Sequence, residues 1–129
     1  MDSRTAAAVA LGGVAGAGLR WGLLEAIDTG AGWPWATFLA NILGSVALGL
    51  LVGRFRSLLH TGVLVGATTG FCGALTTFSA FAVELAAFMR SDRWTLLIAY
   101  LVLSVLAGGL SFLFGRGVGQ RTLAAGTRS

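Results

Sequence analysis

Four long apolar segments separated by short polar turns constrain the fold of this chain more than any other feature. A helix needs about 20 apolar residues to cross the hydrocarbon core of a bilayer. Three of the segments reach that length directly, and the first does so by continuing through Arg20 to Leu24. The pattern therefore predicts four membrane-spanning helices, built on residues 5–19, 33–53, 61–83 and 94–115.

The composition excludes an ordinary soluble domain. Of the 129 residues, 56% are hydrophobic and 11% are charged, and the mean hydropathy is +0.84. A soluble domain of this length must keep a largely polar exterior, for which this chain has too few polar residues. We expect one all-α transmembrane domain over residues 1–129, with a polar tail over 118–129 that frays from Gln120. Its helices are predicted near residues 4–27, 34–56, 60–90 and 93–117.

The charged residues predict how the helices are oriented. With four spans, both termini and the turn at 54–60 share one side of the membrane, which carries six arginines against three on the other. The positive-inside rule then favours cytoplasmic termini. Because arginines at helix ends anchor at lipid headgroups, the net positive charge of the chain does not indicate a nucleic-acid partner. The apolar N-terminus lacks a convincing signal-peptide cleavage site, so we expect it to be retained.

The third segment combines glycine and threonine in the middle of a span. Residues 68–79 contain two Gly and four Thr. Glycine weakens a helix, and β-branched Thr adds little to it. A broken helix in lipid frees backbone groups, which membrane proteins accept where those groups bind an ion or line a cavity. The pattern favours a break within 70–79, with an intact helix and back-bonded Thr hydroxyls as the alternative.

Polar side chains inside the second and fourth spans are candidates for a transport pathway, because polar groups in lipid need partners. Asn41 is followed by Ser45 one turn later on the same helix face. Its amide could line a pore or form an interhelical hydrogen bond. Tyr100 and Ser104 form a hydroxyl stripe at four-residue spacing, and Gly108 is the next residue on the same face. The stripe could equally be a donor track or a helix–helix contact.

Aromatic and acidic residues follow the expected break. Phe78 and Phe81 are three residues apart and so share a helix face. The positive edge of a phenylalanine ring can stabilise an anion without a fixed charge, although such pairs also occur as simple packing. Glu84 follows near the end of the span, where it could be solvated or could titrate in function.

Glycine recurs at four-residue spacing on three of the predicted helices. Such small-residue rows let helix backbones approach closely in lipid, and they predict tight packing and a partner subunit. The rows are Gly12/Gly16, Gly49/Gly53 and Gly62/Gly66/Gly70.

Taken together, these features resemble the CrcB/Fluc family of fluoride channels. The resemblance covers essentially the whole chain. The most specific match is the run GFCGALTTFSAFAVE at residues 70–84. It is accompanied by Gly12-Gly13-x-x-Gly16-Ala17-x-x-Arg20-Trp21, by the segment TFLANILGS at 37–45, and by Tyr100 and Ser104.

The resemblance implies a dual-topology channel in a bacterial plasma membrane, made of two antiparallel four-helix subunits with two fluoride pathways. Fluoride would leave the cytoplasm passively, which reduces its toxicity. A structural Na⁺ that is not transported would lie between the subunits, held by the backbone carbonyls of Gly73 and Thr76. The resemblance assigns Arg20 and Glu84 to the vestibule. The implied anion pathway comprises Asn41, Phe78, Ser79, Phe81, Tyr100 and Ser104.

Two positions depart from the family pattern. Ala80 stands where many relatives have Thr, and Gly108 stands where the hydroxyl stripe of some relatives continues. At Ala80 one polar contact along the track is expected to be absent or replaced by water, and at Gly108 the track is expected to be shorter.

Other functions are less consistent with the residues. A small four-helix drug/proton antiporter needs a carboxylate deep in the bundle, yet the first helix has none before Glu25 and Glu84 lies near a span end. A structural membrane protein would explain the glycine rows but not the Thr-rich segment. No nucleophile–base–acid set indicates an enzyme. We favour a homodimer, while the six-to-three arginine bias would suit a heterodimer with an oppositely oriented paralogue.

Overall fold

The structure, a computed structural model, describes residues 2–27, 32–55 and 61–126. The first two helices are α1 (Ser3–Ala26) and α2 (Trp35–Phe55). The third span is assembled from four pieces: α3 (Thr61–Val65), a π-helical segment (Gly66–Cys72), α4 (Gly73–Leu75) and α5 (Phe78–Arg90). The last helix is α6 (Trp94–Gly126).

Four helical stretches are long and apolar enough to cross a membrane. They are Ser3–Ala26, Trp35–Phe55, Gly62–Arg90 and Trp94–Arg121. This confirms the predicted all-α fold with four spans and an interrupted third helix. The connection left between the first two predicted helices, 28–33, and the predicted turn at 54–60 fall partly on residues 28–31 and 56–60, which lie outside the described residues, as do 127–129.

The last helix is longer than the sequence indicated. The helix was predicted to end near residue 117, with fraying from Gln120, whereas α6 continues to Gly126. Part of the reason lies at Gly119, where a β-carbon would come within 2.7 Å of the Leu50 carbonyl oxygen and 2.8 Å of the Arg54 nitrogen. The absence of a side chain lets α6 keep contact with α2 beyond its predicted end.

Glycines bring the helix backbones into direct contact within the chain. On α2, a β-carbon at Gly49 would lie 2.8 Å from the backbone nitrogen of Arg116 on α6. On α1, a β-carbon at Gly12 would lie 2.9 Å from the backbone nitrogen of Phe71. Contacts this short are not available to a residue with a side chain. The two glycine rows therefore fix two helix pairs, α2 with α6 and α1 with the π-helical segment.

An aromatic cluster closes one end of the bundle, with Tyr100 of α6 at its centre and 0% exposed. The rings of Trp33 and Phe88 contact it edge-on, with centroids 5.2 and 6.0 Å away. The ring of Phe81 lies 5.1 Å from it at a tilt. This cluster holds α5 against α6 immediately after the break in the third span.

Candidate functional site at the helix break

The third span is interrupted at Thr76 and Thr77, both of which have extended backbone dihedrals. The side chain of Asn41 on α2 pairs with the backbone of the second of these residues. Its Oδ1 accepts a hydrogen bond from the Thr77 N–H at 2.8 Å, and its Nδ2 donates to the Thr77 carbonyl at 3.3 Å. Asn41 thus makes an interhelical hydrogen bond, one of the two roles that its sequence position left open, and its partner is the broken backbone itself.

The break frees several carbonyl groups of their usual helical donors, and those of Gly73 and Thr76 are among them. In a continuous helix, the N–H of Thr77 would bond the carbonyl of Gly73, and that of Ala80 would bond the carbonyl of Thr76. Here the Thr77 N–H donates to Asn41, and the Ala80 N–H donates to Thr77 Oγ1 at 3.2 Å. The Gly73 and Thr76 carbonyls therefore lose these partners. Unwound carbonyls of this kind are ligands that suit Na⁺ in transporters.

One side of the break opens into a groove of about 460 Å³ between α2, the third span and α6, which we call the phenylalanine groove. Four of the six predicted pathway residues line it: Asn41, Phe78, Phe81 and Ser104. Phe78 is 81% exposed and Phe81 is 8% exposed, with ring centroids 6.1 Å apart. Both rings line the groove, with Phe81 packed inside the subunit and Phe78 projecting from its surface.

A second groove, of about 370 Å³, lies on another face of the third span, and we call it the arginine groove. Arg20, Thr37, Ser79 and Ala80 are among its lining residues. Ser79 Oγ lies 3.1 Å from Thr77 Oγ1. Ser79 therefore shares a groove with Arg20 and is absent from the lining of the groove that holds the two phenylalanines. The hydroxyl that Ala80 lacks would also belong to this groove.

Glu84 is held by two hydroxyl groups. Its Oε1 accepts a hydrogen bond from Thr37 Oγ1 at 2.5 Å, and its Oε2 accepts one from Tyr100 Oη at 2.6 Å. Tyr100 therefore donates to Glu84 and is absent from the lining of both grooves. Sequence reasoning missed Thr37 as a partner of this carboxylate. Its position one helical turn before Asn41, on the same face, was the available signal.

The hydroxyl of Ser104 lies in the wall of the phenylalanine groove. Its Oγ is buried and has no hydrogen-bond partner among the described residues. A buried hydroxyl without a partner carries a desolvation cost that an acceptor in the groove would offset. This wall is therefore chemically suited to a ligand that accepts hydrogen bonds.

Comparison with known proteins identifies the family. Residues 7–116 match the family described as CrcB-like protein, Camphor Resistance (CrcB). The chain belongs to the CrcB family. The resemblance drawn from the sequence motifs is thereby confirmed.

Individual CrcB relatives match over most of their length. The chain is 38% identical over 117 residues to the fluoride-specific ion channel FluC of Chloroflexus aurantiacus, covering 88% of this chain and 93% of that one. It is 46% identical over 100 residues to the fluoride-specific ion channel FluC 2 of Rhodococcus jostii, covering 78% and 85%. It is 36% identical over 116 residues to the fluoride-specific ion channel FluC of Ignicoccus hospitalis, covering 89% and 94%.

Proposed function

We propose that this chain is the subunit of a fluoride-selective ion channel that lets fluoride leave the cytoplasm passively. The observation that carries the proposal is the phenylalanine groove. Its lining residues supply amide and hydroxyl donors and two phenylalanine rings, and none of the described lining residues is charged. Such a wall can bind an anion without trapping it at a fixed charge. The relatives named as fluoride-specific ion channels support the choice of ion.

The chemistry of fluoride fits such a groove. Fluoride is small and strongly hydrated, so a dry pathway must replace its water shell with hydrogen-bond donors. Ser104 Oγ is a buried donor without a partner among the described residues, and Phe81 supplies a ring fixed by packing against Tyr100. A ring edge carries partial positive charge and attracts an anion weakly. Weak, successive contacts permit passage.

The alternative of a drug/proton antiporter is less consistent with the structure. Proton exchange needs a carboxylate that a substrate and water can reach in turn. Glu84 is absent from the lining of both grooves, and each of its oxygens accepts a hydroxyl hydrogen bond. Conduction of an anion requires no titrating group. The function is therefore ion conduction rather than proton exchange or enzymatic catalysis.

A second subunit is proposed to cover the groove. Gly73 and Phe78 are exposed at its edge, and its wall carries the Asn41 amide. Irregular backbone within a bilayer is stable where protein or a water-filled cavity covers it, and not where it meets lipid. Thr76 lies at the middle of the third span, so the breaks of two subunits would meet at the same depth. We favour a homodimer of antiparallel copies, with a heterodimer as the other outcome.

A structural Na⁺ is proposed to lie between the subunits. The carbonyls of Gly73 and Thr76, which lose their helical donors at the break, are its candidate ligands in each copy. Carbonyl oxygen is suitable chemistry for this ion, and both residues line the phenylalanine groove. When bound, the cation would supply a fixed positive charge that favours an anion nearby. It would remain in place while fluoride passes.

The proposed function is tested with purified protein in liposomes loaded with potassium fluoride or potassium chloride. After addition of a potassium ionophore, ion-selective electrodes follow the loss of each anion. We expect rapid loss of fluoride and no loss of chloride above that of protein-free liposomes. Equal release of both anions, or of neither, would contradict the proposal.

A further inference from the structure

The hydroxyl stripe of α6 stops at Gly108. Tyr100, Ser104 and Gly108 follow one another at four-residue spacing and so lie on one side of the helix. The third of these positions offers no donor. The atom that faces it belongs to α2, since a β-carbon at Gly108 would lie 3.7 Å from Ser45 Oγ, with no other neighbour within 4 Å.

Ser45 is thus placed where the missing hydroxyl would be. It lines the phenylalanine groove together with Ser104 and Gly108, one turn after Asn41 on α2. Within the part of the chain that the structure describes, the Ser45 hydroxyl makes no hydrogen bond to another residue. A serine inside a membrane helix usually bonds the carbonyl of the preceding turn. Ser45 instead keeps its donor available to the groove.

We propose that Ser45 donates a hydrogen bond directly to the permeating anion and takes over the donor position that Gly108 leaves empty. The inference rests on the proposed channel function and assigns one specificity-determining contact within it. The donor line would then run from Ser104 on α6 across the groove to Ser45 on α2. A small anion that contacts both helices would accept a hydrogen bond from each of them.

The test measures fluoride efflux from liposomes for wild type, Ser45→Ala, and the double variant Ser45→Ala/Gly108→Ser. Loss of one hydrogen bond to an ion is expected to lower efflux about tenfold in Ser45→Ala. The added serine should return efflux to within about threefold of wild type. A β-carbon at residue 108 would have only Ser45 Oγ within 4 Å, and Ser45→Ala removes that atom, so the new side chain has room. Ser91→Ala is the matched control, since this exposed hydroxyl caps α5 outside both grooves.

The outcomes separate this inference from the channel proposal. Absence of fluoride efflux in wild type contradicts the channel function itself. Wild-type efflux with an unchanged Ser45→Ala rate refutes the role of Ser45. If Ser45→Ala slows efflux and the added Gly108→Ser does not restore it, then Ser45 does not fill the donor position that Gly108 leaves empty. Alanine is a strong helix former, so Ser45→Ala should fold, and size-exclusion chromatography verifies this.

Discussion

Replacing Asn41 with leucine removes the side chain that pairs with the broken backbone. The substitution approximately conserves volume but deletes both the acceptor for the Thr77 N–H and the donor to the Thr77 carbonyl. Thr77 is only 8% exposed, so water cannot readily replace these partners. We therefore expect Asn41→Leu to destabilise the subunit through the third span, although the substituted residue lies on α2.

The magnitude follows from the two bonds. The 2.8 Å bond is short and its donor becomes an unpaired buried N–H, which costs about 1–3 kcal/mol. The 3.3 Å bond is long, and interhelical hydrogen bonds in membranes average about 0.6 kcal/mol. Together they predict a loss of about 2 kcal/mol in the free energy of unfolding. This corresponds to about a 30-fold change in the unfolding equilibrium constant.

The assay is equilibrium unfolding in mixed detergent micelles, followed by tryptophan fluorescence. Ser45→Ala is the matched control for stability, because it changes the next turn of the same helix face without removing a hydrogen bond within the described residues. We expect that control to shift the free energy of unfolding by less than about 0.5 kcal/mol. If Asn41→Leu unfolds at the same detergent fraction as Ser45→Ala, the pairing of Asn41 with Thr77 does not stabilise the break.

Three further predictions concern the pathway, the ion and the packing. Phe81→Ile should abolish fluoride efflux and leave the dimer intact by size-exclusion chromatography, and unaltered efflux would exclude the ring from the pathway. Replacing Na⁺ with a larger organic cation during purification should lower the dimer fraction or the efflux rate, whereas indifference of both would argue against a structural Na⁺. Gly12→Val should destabilise the fold by about 2 kcal/mol or more, because its side chain would overlap the Gly66 and Phe71 backbone. Gly13→Val, whose β-carbon would meet nothing within 4 Å, should be tolerated in the same unfolding assay.

Much of the fold was predictable because the bilayer imposes simple requirements on each helix separately. The length of the apolar segments indicated the spans, and Gly and Thr within residues 68–79 indicated the break. The π-helical segment was not predictable, since its bonding pattern forms where Gly66 and Gly70 pack against α1. That contact depends on how two helices pack together, whereas helix propensity describes the residues of a single helix.

In the candidate site too, the contacts between helices could not be predicted from the residues of each helix alone. Asn41 was identified as a polar group that needs a partner, but its pairing with Thr77 depends on the relative depth of two helices. The bond from the Tyr100 hydroxyl to Glu84 likewise depends on the depth of α6 against α5. The separation of Ser79 from Phe78 follows from their being neighbours on one helix, since consecutive residues point about 100° apart.

The break in the third span also has an electrical consequence. A continuous membrane helix keeps its partial charges at the two water interfaces, where solvent screens them. Restarting the helix at Phe78 moves a positive pole of about half an elementary charge to mid-membrane depth, while the carbonyls released at Gly73 and Thr76 form a negative pole beside it. The pair is neutral overall. One interrupted backbone thus offers opposite polarities a few residues apart, without a formal charge in the low-dielectric interior.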